Sequence, residues 1–288
     1  MTARSSENSN DRLFCWEQVS RTNRLFRVSR VFAPAQCAER LLPLYALFSV
    51  IELIGSASYD EEVASSKLGW WRNEFLQQNR ADSQHPLVKE LNRTGAADML
   101  SGESIGQLFN GVERRLSATA PADMGALRNT CIETFQPQLD LELATAESQL
   151  TAADFRPELL ARNGMLQLLR ESVQGKEQGS YWWIPLKSLA RHGVSREDIR
   201  RQPGSPGAVQ LLAELLGEAA SWGRESHESP ISPAKDYSSA RHVFAISGLT
   251  ARKLNRLAGI APDRFQAELA RLGPSDLFTA WNHARRLG

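Results

Sequence analysis

The stretch LLPLYALFSVIELIG, residues 41–55, is the most apolar part of the chain. It is shorter than the roughly 20 residues that a helix needs to cross a bilayer, and Glu52 lies near its end. We therefore predict that it forms a buried helix and not a membrane span. On both sides of it the apolar residues follow a helical period, and the two-residue alternation of strands is almost absent. These patterns predict an all-α protein with a single domain.

Proline, glycine and short polar stretches divide the chain into predicted helices. The first should cover residues 15–32 and stop before Pro34, because a residue before proline avoids the α region. Further helices are predicted at residues 35–52, 62–78, 87–93, 103–117, 122–148, 154–173, 206–224, 237–259, 264–270 and 275–286. Residues 1–11 are polar and are predicted to form a tail, which leaves residues 12–288 as the domain.

The composition is that of a globular protein without a strong electrostatic preference. Of the 288 residues, 42% are apolar and 23% are charged, and the net charge of +1 gives no support for binding nucleic acid. The three cysteines and five histidines lack the spacing of a disulfide framework or a metal site, so we expect no bound metal and no cofactor. The polar first residues do not match a secretory signal, and we expect a cytoplasmic location.

Three segments of the chain carry recognisable motifs. They are FRVSRVFAPAQCAERLLPLYALFSVIEL at residues 26–53, KLGWWRNEF with HPLVKEL at residues 67–91, and GMLQLLRES with GSYWWIPLKSLARHGVSREDI at residues 164–199. Together these segments resemble the squalene/phytoene synthase family, and a weaker match near the end extends the resemblance over residues 12–286. The resemblance implies an isoprenoid-synthase-like helical bundle around a central cavity.

The same resemblance implies where the chemistry of the family would lie. Active members join two prenyl diphosphates head to head, with magnesium held by two Asp-rich helical motifs that face each other across the cavity. In this chain the matching positions carry one acid each: Glu52 with Leu53 and Ser56 in the first motif, and Glu171 with Gln174 and Gly175 in the second. Two lone carboxylates form a poor cage for magnesium, so we expect that the metal-dependent reaction is lost.

Other acids and arginines near these positions do not rebuild the motifs. The arginine that the family places upstream of the first motif is replaced by Ser49, and Arg114 and Arg115 lie where the family pattern has an acid. The acids at residues 60–62 are consecutive and would point in different directions on a helix. We expect these acids, and also Asp140 and Glu142, to lie on solvated faces.

The loss of acids from a retained fold also resembles one branch of the family, which includes mitochondrial complex I assembly factors and is regarded as non-catalytic. Leu169-Arg170, Trp183-Ile184-Pro185 and residues 192–198 carry this second resemblance. It implies a binding or assembly protein whose ligand is an isoprenoid or quinone-like lipid, or whose partner is another protein. The candidate ligand-binding residues are Tyr45, Ser49, Glu52, Trp71, Gln167, Arg170, Glu171 and Tyr181.

Two other functions stay open. One is an active prenyltransferase that condenses farnesyl or geranylgeranyl diphosphate at a rebuilt magnesium site of Glu52 and Glu171, with arginines such as Arg170 binding the phosphates. The other is metal-free chemistry on a lipid, which no residue pattern supports.

Two surface and core features also have alternative interpretations. Trp70 and Trp71, and the aromatic run at residues 181–183, would either line a lipid cavity or pack the core, and core packing is favoured. Near the N-terminus, arginines recur at every third position: Arg21, Arg24, Arg27 and Arg30. They would either form a solvated face, which is favoured, or contact the surface of the inner membrane.

Overall fold

A computed structural model describes residues 2–56, 61–76, 82–117, 119–174, 181–222 and 235–285. Within these ranges the chain forms α-helices, a few short 3₁₀ turns and no strand, as the sequence predicts. The helices are α1 (Thr2–Thr22), α2 (Phe26–Ser29), α3 (Ala35–Ser56), α4 (Glu61–Leu76), α5 (Pro86–Thr94), α6 (Ala96–Met99), α7 (Gly102–Leu116), α8 (Met124–Thr145), α9 (Pro157–Gln174), α10 (Leu186–His192), α11 (Arg196–Arg201), α12 (Pro206–Ser221), α13 (Arg241–Leu257), α14 (Phe265–Ala270) and α15 (Pro274–Arg285).

The N-terminal region differs from the prediction in two ways. Helix α1 begins at Thr2, so the predicted polar tail is helical, and Asp11 within it is buried. The helix ends at Thr22 instead of continuing to Phe32, and α2 follows after a turn. Side chains help to end it, because Thr22 and Arg24 donate hydrogen bonds to the carbonyl oxygens of the last turn. The chain therefore changes direction before Pro34.

The helices α10 and α11, which the periodicity does not predict, are short elements with clear end signals. Helix α10 ends at Gly193, whose φ of 62° is in the left-handed region that favours glycine. Helix α11 begins with a capping box, in which Ser195 and Asp198 bond reciprocally to each other's backbone N–H. Such helices have too few turns to show a period, so only their caps could have indicated them.

Helix α3 is the centre of the bundle, and its burial confirms the interpretation of the apolar stretch. It packs against α1, α5, α7, α8 and α9, and its apolar side chains are almost all buried. Helices α8 and α9 form the most extensive contact between two helices, which a glycine makes possible. A Cβ atom at Gly164 would lie 2.0 Å from the carbonyl oxygen of Cys131, so the two backbones touch directly. No helix in the described ranges is long and apolar enough to cross a bilayer.

Helix α15 packs against α13, and a glycine again allows the close contact. A Cβ atom at Gly248 would lie 2.3 Å from the imidazole ring of His283, so the ring occupies the space beside the glycine. Small and polar residues of α15 face this contact: Asp276, Ala280 and Ala284. The opposite face of α15 is therefore turned away from the core.

Candidate functional site

Helices α3 and α9 each turn a polar face into the bundle. The residues on these faces are at most 8% exposed: Tyr45, Ser49 and Glu52 on α3, and Gln167, Arg170 and Glu171 on α9. Positions three, four and seven apart share one side of a helix, which explains why each set points in one direction. We call these residues, with Arg115, Glu142 and His242, the interior polar cluster.

The acid of the first motif is held by an arginine. Arg170 Nη2 donates a hydrogen bond of 2.7 Å to Glu52 Oε1, and both side chains are buried. In a low-dielectric interior each charge needs the other, because water cannot solvate either of them. The charge of Glu52 is therefore neutralised from within the protein.

The acid of the second motif has a similar partner from another helix. Arg115 Nη2 on α7 donates to Glu171 Oε1 at 3.0 Å, and Gln167 Nε2 approaches the same oxygen at 3.3 Å. Burial raises the pKa of Glu171 above its ordinary value, and the Arg115 guanidinium opposes that rise. Arg115 thus pairs with Glu171 from a neighbouring helix.

Glu142 is buried, although the sequence predicts that it lies on a solvated helix face. It is 1% exposed, and its Oε2 lies 3.5 Å from Nε2 of His242, which is completely buried. Burial raises the pKa of Tyr45 well above 10, and the nearby Glu142 carboxylate raises it further. A signal was present in the sequence, because polar residues recur along one face of α8 between leucines, at Thr134, Gln138, Glu142 and Thr145.

Several polar atoms of this region have no hydrogen-bond partner among the described residues. They include Gln167 Oε1, Thr145 Oγ1 and the Nδ1 atom of His242. Buried polar atoms nearly always have a partner, so these atoms are available to hydrogen-bond a bound molecule. The unpaired atoms line the contacts between α8, α9 and α13.

The donor set of the cluster does not fit magnesium. Mg²⁺ requires near-octahedral oxygen coordination, and two or more carboxylates with waters and phosphates normally provide it. Here Glu52 and Glu171 each accept a hydrogen bond from a guanidinium, which repels a cation. The described residues contain no group of three or more His, Cys, Asp or Glu that could hold a metal ion. The two ion pairs also have no net charge, so nothing in them attracts a diphosphate.

The remaining residues of the predicted motifs contribute fewer contacts to the interior polar cluster. Ser49 donates to the carbonyl oxygen of Tyr45 at 2.8 Å and accepts a hydrogen bond from Thr22, so it fastens α1 to α3. The side chains of Ser56 and Gln174 lie outside the described residues, as does Gly175. Asp60 and the side chain of Glu61 also lie outside them, whereas Glu62 is exposed as expected. Asp140 is half-buried and accepts a hydrogen bond of 2.8 Å from the Ala152 backbone.

The aromatic candidates lie apart from the interior polar cluster. Trp71 is buried, stacks on Phe75 and contacts His85 edge to face at 4.7 Å, while Trp183 is fully buried and donates to Ser172 at 2.7 Å. Trp183 therefore packs the core, whereas Trp71 packs the core and also lines a surface cavity. Trp70 is 48% exposed and lines a surface cavity of 460 Å³ together with Phe14, Gln18, Val50, Leu53, Ile54, Lys67, Trp71 and His85. Tyr181 packs on Trp183, and no described contact joins it to Glu52 or Glu171.

The four N-terminal arginines have different surroundings. Arg21, Arg24 and Arg27 are exposed, whereas Arg30 is half-buried with its guanidinium 4.6 Å from the ring centre of Trp16. Arg24 also donates to the carbonyl oxygen of Ala270 at 3.1 Å. The turn between α1 and α2 therefore places Arg24 beside the chain segment that precedes α15.

Sequence comparison assigns the family. The sequence model of the family described as squalene/phytoene synthase matches residues 19–274. The chain therefore belongs to the squalene/phytoene synthase family, and the resemblance inferred from its motifs is confirmed. No curated protein gives a significant sequence match.

Solved structures agree with this fold. The crystal structure of a dehydrosqualene synthase in complex with ligand matches with a TM-score of 0.62 at 14% identity, over 98% of this chain and 97% of that chain. The squalene synthase HpnC from Alicyclobacillus acidocaldarius matches with a TM-score of 0.52 at 18% identity, over 92% of this chain and 94% of that chain. At such identities the likeness shows the fold alone, and it is the all-α isoprenoid synthase fold.

Proposed function

We propose that this squalene/phytoene synthase family protein has lost metal-dependent prenyl transfer and binds an isoprenoid or quinone-like lipid. The observation that carries the proposal is the neutralisation of both motif acids, by Arg170 at Glu52 and by Arg115 at Glu171. A carboxylate that ligated a metal would have to release its guanidinium partner. Breaking a buried ion pair in this way costs about 3–5 kcal/mol, and binding of a metal would require both pairs to be broken.

The other polar atoms of the cluster support an uncharged head group for the lipid. Gln167 Oε1 and His242 Nδ1 of the cluster, and Thr145 Oγ1 on the same helix as Glu142, are buried without a hydrogen-bond partner among the described residues. A quinone or alcohol head group exchanges hydrogen bonds with such atoms and adds no formal charge. A diphosphate would bring several negative charges into a region whose two arginines are already paired.

The branch resemblance supports the same class of function, since that branch is regarded as non-catalytic. If the interior binds no lipid, we propose instead that the protein acts by binding another protein, as an assembly protein does. A cytoplasmic location at the inner membrane surface belongs to the proposal as well.

A turnover assay tests the loss of prenyl transfer. The purified protein is incubated with farnesyl or geranylgeranyl diphosphate, magnesium and NADPH, and released pyrophosphate and organic products are measured. We expect no release above that of the double variant Glu52→Gln/Glu171→Gln. Release above this control, from a sample shown to be folded by circular dichroism, would establish the active prenyltransferase instead.

A second experiment tests the bound lipid. A benzoquinone with one isoprene unit is titrated into the protein, and binding is followed by quenching of tryptophan fluorescence. We expect saturable binding that weakens about tenfold in Gln167→Met, because one hydrogen bond to the head group is lost. Gln107→Met, a change of the same chemistry outside the cluster, should bind like the wild type. Equal affinity in all three proteins would show that the quinone does not bind at this cluster.

A further inference from the structure

Helix α15 exposes the kind of residues that a soluble helix normally buries. Leu277, Phe278 and Trp281 are 56%, 63% and 43% exposed, and they recur at positions that share one side of the helix. The residues that α15 buries against α13 are instead small or polar, as described above. Large aromatic side chains gathered on an outer face indicate an interaction surface.

Positive charge surrounds these apolar side chains. The Arg285 guanidinium lies 4.6 Å from the ring centre of Trp281 on the same helix. Helix α2 packs against α15 and contributes the exposed Arg27, and Arg24 reaches the carbonyl of Ala270 just before α15. We call Leu277, Phe278, Trp281, Arg24, Arg27 and Arg285 the α15 face.

No exposed acid offsets this charge on the two helices. Helix α2 contains no acid, and the acid of α15, Asp276, is 2% exposed and paired with Arg252 and Arg256. The α15 face therefore combines protruding aromatic groups with unopposed cations. This combination is complementary to an anionic lipid surface, where tryptophan prefers the head-group region and arginine meets phosphate.

We propose that the α15 face docks this protein peripherally on an anionic lipid bilayer. Phe278 and Trp281 would insert at the boundary between head groups and acyl chains, and the arginines would contact lipid phosphates. The face is one side of a helix and not a groove, which suits a bilayer better than an extended peptide. The proposal does not depend on which ligand the interior polar cluster binds.

Sedimentation with vesicles tests the proposal on the full chain. We expect binding to vesicles of equal parts phosphatidylglycerol and phosphatidylcholine, little binding to phosphatidylcholine alone, and weaker binding as salt increases. The double variant Phe278→Ser/Trp281→Ser should bind tenfold or more weakly, as expected when two apolar anchors are removed (about 1.4 kcal/mol for each factor of ten). Arg27→Gln and Arg285→Gln should each weaken binding about fivefold.

Matched controls lie elsewhere on the surface. Leu186→Ser alters a leucine that is 53% exposed, and Arg201→Gln alters an arginine that is 73% exposed, so both should bind like the wild type. Every altered side chain is at least partly exposed, and an unchanged melting temperature verifies that each variant is folded. The proposal is overturned by wild-type protein that does not bind anionic vesicles, or by equal binding of the double variant. It is also overturned if the wild type instead dimerises through this face and the double variant remains monomeric in sedimentation velocity.

Discussion

Arg170 on α9 donates a hydrogen bond of 2.7 Å to Glu52 on α3, across 118 positions of sequence. Their side chains are 9% and 2% exposed, so the pair is removed from water on nearly every side. It joins two central helices and cancels the charge that remains in the first motif. In an active member of the family that charge would be available to a metal.

Breaking this pair should destabilise the fold strongly. Arg170→Met leaves Glu52 as a buried carboxylate without its partner, and we expect a loss of about 3–5 kcal/mol in the free energy of unfolding. The double variant Glu52→Leu/Arg170→Met should recover most of this loss, because no charge then stays unpaired. Denaturation in urea measures both effects.

A surface pair provides the comparison for that experiment. Lys187 and Asp123 are 69% and 45% exposed, and Lys187→Met should cost less than about 1 kcal/mol. If Arg170→Met costs no more than Lys187→Met, the buried pair does not stabilise the bundle and the argument from it fails.

The second pair predicts a pH dependence of known sign. Burial raises the pKa of Glu171 above its ordinary value of 4.5, so between that value and the folded pKa the native state binds more protons than the unfolded state. The contribution of Glu171 to stability is therefore fully present below pH 4.5 and decreases as the pH rises through the folded pKa. Relative to Glu171→Gln, the wild type should lose stability as the pH rises above 4.5.

Melting temperatures of both proteins across this range test the prediction, because all other titrating groups are common to the two. A wild type that gains stability over the variant with rising pH would show that the attraction of Arg115 exceeds the effect of burial.

Helices α8 and α9 should not tolerate a methyl group at Gly164. The added Cβ would meet the Cys131 carbonyl oxygen at 2.0 Å, and neither backbone can move without displacing its helix. We expect Gly164→Ala to lose more than about 3 kcal/mol, above the usual cost of overpacking, or to be recovered only as aggregate. Denaturant unfolding and soluble yield are the measurements.

The matched control is Gly217→Ala in α12, where an added Cβ meets nothing within 4 Å. Alanine favours a helix over glycine, so this variant should be as stable as the wild type or more stable by up to about 1 kcal/mol. Equal stability of the two alanine variants would contradict the close approach of α8 and α9.

His85 should make the start of α5 sensitive to acid. Its Nδ1 accepts a hydrogen bond from the Leu87 backbone N–H at 3.2 Å, and burial lowers its pKa below the ordinary value of 6.5. Protonation of Nδ1 removes the acceptor, and the unfolded state takes up the proton first, so stability is lost as the pH falls through 6.5. His85→Asn keeps a helix cap that does not titrate.

The melting temperature of His85→Asn relative to that of the wild type should therefore increase as the pH is lowered from 7.5 to 5. His85→Ala should cost about 1 kcal/mol at pH 7.5, and this cost should decrease as the pH falls below 6.5, because the wild type then begins to lose the cap itself. A gap that does not change with pH would mean that His85 does not titrate in this range.

Much of the fold follows from local patterns. Apolar periodicity places most of the long helices within a few residues of their observed ends, and the motifs around Tyr45 and Trp71 identify the family. The break between α1 and α2 was not predicted, because it depends on hydrogen bonds that Thr22 makes within its own turn and with Ser49 of another helix. The burial of Glu142 was not predicted either, because it depends on the packing of α8 against α3 and on His242 of α13.

The sequence by itself determined the all-α fold and the family, because helical period and motif spacing are properties of neighbouring residues. Only the tertiary structure decided that Arg170 pairs with Glu52 and that Arg115 pairs with Glu171. It also decided that Phe278 and Trp281 face outward, although they belong to residue types that usually lie in a core. Pairing and burial depend on which helices pack together, and these contacts join residues that are far apart in the chain.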